Sequence, residues 1–214
     1  MMTTIAEEVL LLAHEETEGK PLVGATQLDS ALGGALLAEL AVNGRIDLDG
    51  KKVTVRDATP LGDEELDATL ARIAGEAKER KPDWWVYRLS SAKLRKRLLT
   101  GLAERGVLNE EHRKILGIFP VARYPERDPR VEREIRERVR SVLDGADPDE
   151  RVAVLIAVLH AAKIDRKAFP GVRKERVKEI VESEWVGRAV AKTIDSINAA
   201  IVAGAVAAAA AAGA

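Results

Sequence analysis

A leucine stripe that ends in glycine occurs twice in this chain and restricts the fold more than any other feature. Segment 36–46 recurs 62 residues later as segment 98–108, with leucine, alanine and glycine at matching positions. Leucines four residues apart lie on one face of an α-helix, and glycine supplies the backbone conformation that ends it. Each copy predicts a helix, a glycine stop at Gly44 or Gly106, and a hairpin. Duplication of one unit and independent use of a common capping pattern both explain the match.

Other apolar stripes extend this pattern to a mainly α-helical chain with two short β-hairpins. The charged segment 78–83 is interpreted as a linker. At the start of one helix, Asp147 is expected to be the N-cap, Pro148 the first helical residue and Glu150 the third. Segment 152–159 is apolar nearly all round and is expected to form the central core helix. The expected helices lie at 4–12, 27–42, from Asp63 onward, 91–105, 131–142, from 147 onward, 172–181 and 185–203, and the hairpins at 45–55 and 115–124.

Composition and motifs argue against an enzyme. The chain has no cysteine, which excludes disulfides, thiolate metal sites and cysteine nucleophiles. His14, His112 and His160 are far apart in sequence and lack the spacing of metal ligands. No phosphate-loop motif or Gly-x-Ser-x-Gly elbow is present. No catalytic residue, metal site or cofactor is therefore predicted.

Hydropathy predicts a soluble or membrane-peripheral protein. The longest apolar stretch, Ala199–Ala214, has 16 residues and consists mostly of alanine. A membrane-spanning helix needs about 20 apolar residues. We expect one helical domain over 1–204 and an alanine-rich tail over 205–214.

Charge is distributed unevenly along a chain whose net charge is only −1. Residues 1–31 contain six acidic residues and one basic residue, whereas residues 88–127 contain ten basic and four acidic residues. A basic segment in a nearly neutral chain predicts an anionic partner for the surface that it forms.

Within the basic segment, Lys93, Arg95 and Arg97 are the candidate headgroup-binding residues. At roughly 100° per residue, Lys93 and Arg97 fall on the outer side of the helix and Arg95 at the border of the buried leucine stripe. A border arginine ordinarily pairs with a carboxylate or extends to solvent. The functional interpretation is that Arg95 forks a phosphate group.

An apolar run, with Leu116, Ile118 and Phe119 as the candidate membrane-inserting residues, lies between basic flanks. If this run forms a hairpin tip, apolar side chains project from a basic surface, which suits an anionic membrane. The alternative is that the hairpin folds back onto the core.

Four sequence blocks resemble the Golgi phosphoprotein 3 family. The resemblance implies a helical bundle ringed by amphipathic helices, and a non-enzymatic, cytoplasmic, peripheral membrane protein. Eukaryotic members bind phosphatidylinositol 4-phosphate and the cytoplasmic tails of membrane-bound glycosyltransferases, so the implied partners are an anionic phospholipid surface and such tails. The blocks are Glu7–Leu12, Glu39–Ile46, Gly62–Asp67 and Arg95–Leu108.

The family's phosphate pocket carries over only in part. Arg95 falls on one basic position of that pocket, and Ala92 on the other. The pocket tryptophan and its partner arginine correspond to Gly24 and Gly33. The resemblance therefore implies affinity for anionic lipid, with a headgroup pocket that differs from the family pattern.

Two other functions fit the sequence. A helix, a glycine stop and a hairpin also describe a winged-helix DNA-binding domain. Segment 90–97 offers only lysines and arginines, which contact phosphate rather than bases; the lipid interpretation therefore predicts no nucleic-acid partner. A purely structural scaffold without lipid contact is the third possibility.

Overall fold

The computed structural model describes residues 3–15, 20–115, 119–182 and 188–212, with side chains other than those of 112–122, 188–190, 208–209 and 211–212. The helices are α1 Ile5–Leu12, α2 Ala25–Val42, α3 Glu64–Ala74, α4 Pro82–Leu89, α5 Ala92–Glu104, α6 Pro129–Asp144, α7 Glu150–Ala161, α8 Asp165–Ala168, α9 Lys174–Glu182 and α10 Arg188–Ala212. The strands are β1 Ile46–Asp49, β2 Lys52–Val55, β3 Glu111–Ile115 and β4 Phe119–Arg123. Strands β1 and β2 form one antiparallel hairpin, and β3 and β4 form another. The mainly α fold with two hairpins is confirmed.

Helix α2 lies at the centre of the bundle. Every residue from Leu28 to Ala41 is buried, and α1, α4, α7 and α10 all pack against this helix. The prediction that 152–159 forms a core helix is also confirmed, because every one of these residues is buried in α7. The centre of the molecule is thus built from two helices that are apolar nearly all round.

The helix starts depend on capping side chains. Thr4 and Glu7 form the expected capping box at α1, and Asp63 caps α3 by accepting hydrogen bonds from two backbone amides. The cap predicted for α7 is wrong by two residues. Asp149, not Asp147, accepts the hydrogen bond from the Val152 amide at 2.7 Å, because its carboxylate directly precedes the first helical residue.

Helix α4 was not expected, and the linker interpretation fails from Pro82 onward. Pro82 is the first helical residue, where a missing N–H costs nothing. Trp85, Val86 and Leu89 are buried, and the helix packs against α2 and α10. The charged residues of 78–83 favoured a linker, although the apolar stripe of α4 follows them directly.

The two glycine stops have the predicted geometry. Gly44 and Gly106 both have a positive φ, at 66° and 76°. The residue after each glycine donates to a carbonyl one turn back: Arg45 to Leu40 at 2.8 Å, and Val107 to Leu102 at 2.9 Å. A hairpin follows both stops. This matched geometry is the Schellman pattern that glycine favours.

The second hairpin differs from its prediction. It begins at Glu111, and its turn does not lie around Phe119 and Pro120, since both belong to β4. In the observed register Phe119 pairs with Ile115 and Pro120 with Lys114. Proline is tolerated here because each strand of a two-stranded sheet has a free edge.

Candidate functional site

Helix α5 has two polar flanks, one on each side of its buried leucine stripe. Ser91 caps the helix by accepting a hydrogen bond from the Leu94 amide at 3.2 Å. Leu94, Leu98 and Leu102 are buried, as the sequence predicted. The flanking basic residues therefore separate: Arg95 turns toward α2, and Arg97 toward α3.

Arg95 forms an ion pair with Asp29 of α2. Its Nη1 donates to Oδ1 of Asp29 at 2.5 Å and to the carbonyl oxygen of Ala25 at 3.2 Å. Burial raises the pKa of Asp29, and the positive charge of Arg95 opposes that rise. Arg95 thus pairs with a carboxylate, as an arginine at the border of a buried stripe ordinarily does. A phosphate would have to compete with Asp29 for Arg95.

The acidic N-terminal segment is an internal partner of the basic segment. Besides the pair between Arg95 and Asp29, Arg105 at the end of α5 donates to the buried carboxylate of Glu7 in α1. Part of the charge asymmetry is therefore neutralised within the molecule. An external anion would be attracted by the basic residues that lie outside these two pairs.

The other flank of α5 carries two lysines and an arginine, all of them exposed. Arg97 binds Glu65 of α3 through two nitrogens and two oxygens. Lys93 and Lys96 are exposed and have no ion-pair partner in the part of the chain that the structure describes. These two ammonium groups are the available cations of α5.

A cavity of about 370 Å³ lies between α3, α4 and α5, and we call it the cationic cavity. Its wall contains one carboxylate, Glu65, and four cationic side chains: Arg72, Arg88, Lys93 and Arg97. The sequence interpretation missed Arg72, which belongs to α3, and counted Arg88 only as part of the basic segment. The unexpected helix α4 brings Arg88 to the same cavity.

Two larger grooves flank this cavity. One, of about 680 Å³, follows α5 and mixes Lys93, Lys96 and Arg97 with carboxylates such as Glu64 and Glu104. The other, of about 750 Å³, lies between α4 and α10 and includes Tyr87, whose surface is 83% exposed. Arg88 and Ser91 line both this groove and the cationic cavity, so the groove that contains the exposed tyrosine adjoins the cavity.

Gly33, a position that the resemblance matched to an arginine of the family pocket, has little room for a side chain. A Cβ atom there would lie 3.0 Å from the carbonyl oxygen of Val86, and 3.2 Å from both Leu89 Cβ and the Ser90 nitrogen. Helix α4 therefore passes directly over this position. Gly24 precedes α2 with nothing within 4 Å of its Cβ position, and Ala92 is exposed. Of the four matched positions, only Arg95 has a polar side chain.

The predicted membrane-inserting tip falls mostly outside the described residues. Leu116 and Ile118 lie outside them, and Phe119 is described only as backbone in β4. The foot of this hairpin is anchored, because the Asn109 amide donates to Pro125 at 2.8 Å and the Arg127 amide to Val107 at 2.9 Å.

One buried carboxyl, that of Glu132, has a strongly raised pKa and lies beside a very small cavity. Burial and the neighbouring Glu126 raise the pKa of Glu132 to about 8, against the opposing charge of Arg136 at 2.6 Å. The adjoining cavity of about 20 Å³ is lined also by His14 and Tyr124. That volume accommodates about one water molecule and no substrate.

Metal binding and membrane spanning find no support in the described ranges. Within residues 3–15, 20–115, 119–182 and 188–212, no three His, Asp or Glu side chains converge to hold a metal ion. In the same ranges, no helix combines the length and apolar character needed to cross a membrane.

Comparison with known proteins places this fold in a family. The family model of Golgi phosphoprotein 3 (GPP34) matches residues 5–197. The chain is also 28% identical, over 162 residues, to vacuolar protein sorting-associated protein 74 of Eremothecium gossypii. That match covers 65% of this chain, and the chain spans about half the length of the curated relative, 49%. The chain belongs to the Golgi phosphoprotein 3 family.

Proposed function

We propose that this protein is a non-enzymatic adaptor that docks on anionic phospholipid membranes. The proposed docking surface combines the basic residues of α5 with the hairpin tip: Lys93 and Arg97 from one flank of α5, Arg95 from the flank that faces α2, and Leu116, Ile118 and Phe119 from the tip. The adaptor part of the proposal is supported by family membership, and by the name of the relative from Eremothecium gossypii, which refers to protein sorting. Cytoplasmic tails of membrane proteins are the partners that such an adaptor would hold.

The observation that carries the lipid part is the exposure of Lys93 and Lys96. Both ammonium groups lack a carboxylate partner within the described ranges, although the chain as a whole contains 35 acidic residues. A cation near an anionic leaflet gains about 1 kcal/mol. Each methylene that the hairpin tip buries adds roughly 0.8 kcal/mol. Two such weak signals together hold a peripheral protein on a membrane.

Co-sedimentation with vesicles tests the basic surface. We expect the protein to pellet with phosphatidylcholine vesicles that contain phosphatidylserine, and to remain in the supernatant with phosphatidylcholine alone. The double variant K93Q/K96Q should bind severalfold more weakly. Its matched control is K51Q/K174Q, which removes two exposed lysines from the β1–β2 turn and from the start of α9. Equal recovery on both vesicle types would contradict the proposal.

The hairpin tip is tested by Phe119→Asp. This variant should weaken vesicle binding while the melting temperature stays close to that of the wild type. A large loss of thermal stability would instead assign Phe119 to the core. Retardation of duplex DNA with a steep salt dependence, together with absence of vesicle binding, would overturn the lipid proposal in favour of a nucleic-acid partner.

A further inference from the structure

We propose that the cationic cavity between α3, α4 and α5 binds a phosphate monoester. This inference rests on the proposed membrane docking and deepens it, because it moves the phosphate contact from Arg95 to the opposite flank of α5. The ligand chemistry is a compact dianion, supplied either by a lipid headgroup or by free phosphate.

The first argument is the imbalance of charge in a small volume. Four cationic side chains from three helices line about 370 Å³, and Glu65 is the only carboxylate that opposes them among the residues with described positions. Arg72, Arg88 and Lys93 have no ion-pair partner among the residues that the structure describes. Cations that converge without carboxylates repel one another, and a bound dianion would relieve that repulsion.

The second argument is the match between the cavity wall and phosphate. Arginine forks contact two phosphate oxygens at once, and lysine adds a point charge. Ser91, the N-cap of the 13-residue helix α5, also lines the cavity, so the positive end of the helix dipole lies there. Leu36, Leu89 and Leu94 contribute apolar surface to the same wall. The volume is at the small end of ligand sites, which favours a headgroup over a larger ligand.

The third argument is that the opposite flank is already satisfied. Arg95 Nη1 has both Asp29 and the carbonyl of Ala25 as acceptors. A phosphate at Arg95 would come close to the Asp29 carboxylate, which carries charge of the same sign. Among the described residues that line the cationic cavity, the only such carboxylate is Glu65, which is already paired with Arg97.

The surroundings favour a membrane lipid as the source of the phosphate. Arg88 lies next in sequence to Tyr87, which is 83% exposed, and both line the groove beside the cavity. Tyrosine is enriched where protein meets the membrane–water interface, because its ring is apolar and its hydroxyl is polar. A headgroup in the cavity would place this ring at the level of the interface.

The test uses two probes and three variants of the full chain. The probes are inorganic phosphate, followed by thermal denaturation at matched ionic strength, and phosphatidylcholine vesicles that contain phosphatidic acid. R72Q/R88Q should bind both probes about tenfold more weakly than the wild type. K51Q/K174Q removes the same charge elsewhere and should bind like the wild type. The charge-neutral variant D29N/R95Q should lose less affinity than R72Q/R88Q does.

Each outcome separates this inference from the proposed function. If the wild type binds vesicles and R72Q/R88Q binds like K51Q/K174Q, the cavity inference is overturned and membrane docking stands. If the wild type ignores vesicles but phosphate raises its melting temperature only while Arg72 and Arg88 are present, docking fails and the cavity binds free phosphate. If neither probe binds the wild type, both are overturned. Arg72 and Arg88 are exposed, so R72Q/R88Q should fold normally, as circular dichroism can verify.

Discussion

Nη1 of Arg95 lies 2.5 Å from Oδ1 of Asp29, so the arginine that most resembles a family phosphate ligand has a carboxylate partner in its own chain. Asp29 is buried, with a side chain that is 13% exposed, whereas the side chain of Arg95 is 22% exposed. Because Asp29 is the more buried member of the pair, leaving its charge unpaired would be costly, and Arg95 therefore contributes to the stability of the fold. Loss of lipid binding in an Arg95 variant would therefore not by itself identify a lipid contact.

The first prediction concerns this pair. Arg95→Ala should lower the free energy of unfolding by about 1–3 kcal/mol, because it leaves the buried Asp29 without its cation. D29N/R95A should recover much of that loss, since the asparagine is neutral. Urea denaturation of the single variants R95A and D29N and of the double variant D29N/R95A gives the coupling energy between the two side chains. Additive effects would mean that the two side chains do not interact in solution.

The second prediction concerns the place where α4 crosses α2. Gly33→Ala should be less stable than Gly101→Ala by about 1–3 kcal/mol, because the new methyl would press on the Val86 carbonyl and the Ser90 nitrogen, which offsets the gain in helix propensity. Gly101→Ala is the matched control within α5, where nothing lies within 4 Å of the Cβ position. That change should instead stabilise the helix by up to about 1 kcal/mol. Equal effects in thermal denaturation would show that α4 does not pack closely on Gly33.

The sequence predicted the helix ends of this fold better than it predicted the partners of the charged side chains. The glycine stops at 44 and 106 and the capping box at Thr4 are local signals, encoded within a few residues. The charge pattern did not predict helix α4, because the charged segment 78–83 overlaps the first turn of this helix. Its signals were Pro82 followed by an apolar stripe.

The candidate site was predictable only in part, because it depends on tertiary packing. Helix periodicity predicted the outer positions of Lys93 and Arg97 and the border position of Arg95. The partner of Arg95 comes from 66 positions away in the chain. Arg72 reaches the cationic cavity from another helix, and no sequence period connects it with α5. Charge counts along the chain therefore could not show which cations were already neutralised.

The third prediction is a pH dependence that originates at Glu132. Its folded-state pKa is raised from 4.5 to about 8, so the folded protein holds a proton that the unfolded chain releases. The free energy of unfolding should therefore fall as the pH rises from 4.5 to about 8. Glu132→Gln keeps the hydrogen-bonding shape without the charge, and should raise stability by about 1–3 kcal/mol near the upper pH.

The control for this experiment is Glu134→Gln, an exposed residue of the same helix. It should leave the pH dependence of unfolding unchanged. Below pH 4.5, E132Q and the wild type should have similar stability, because Glu132 is then protonated in both states. A wild-type stability that rises steadily between the two pH limits, and that E132Q does not alter, would contradict the assignment.

The fourth prediction tests whether Tyr87 contacts the membrane. Its ring is 83% exposed, so Tyr87→Ala should change the melting temperature little. If the ring enters the interface beside a bound headgroup, the same variant should bind anionic vesicles severalfold more weakly. Tyr87→Trp should retain binding, because tryptophan is also an interfacial residue, and should report insertion through a blue shift when its fluorescence is compared with that of the wild type. Full vesicle binding by Tyr87→Ala would place the ring away from the lipid. A large loss of thermal stability would instead mean that the ring of Tyr87 packs against the protein and is not exposed.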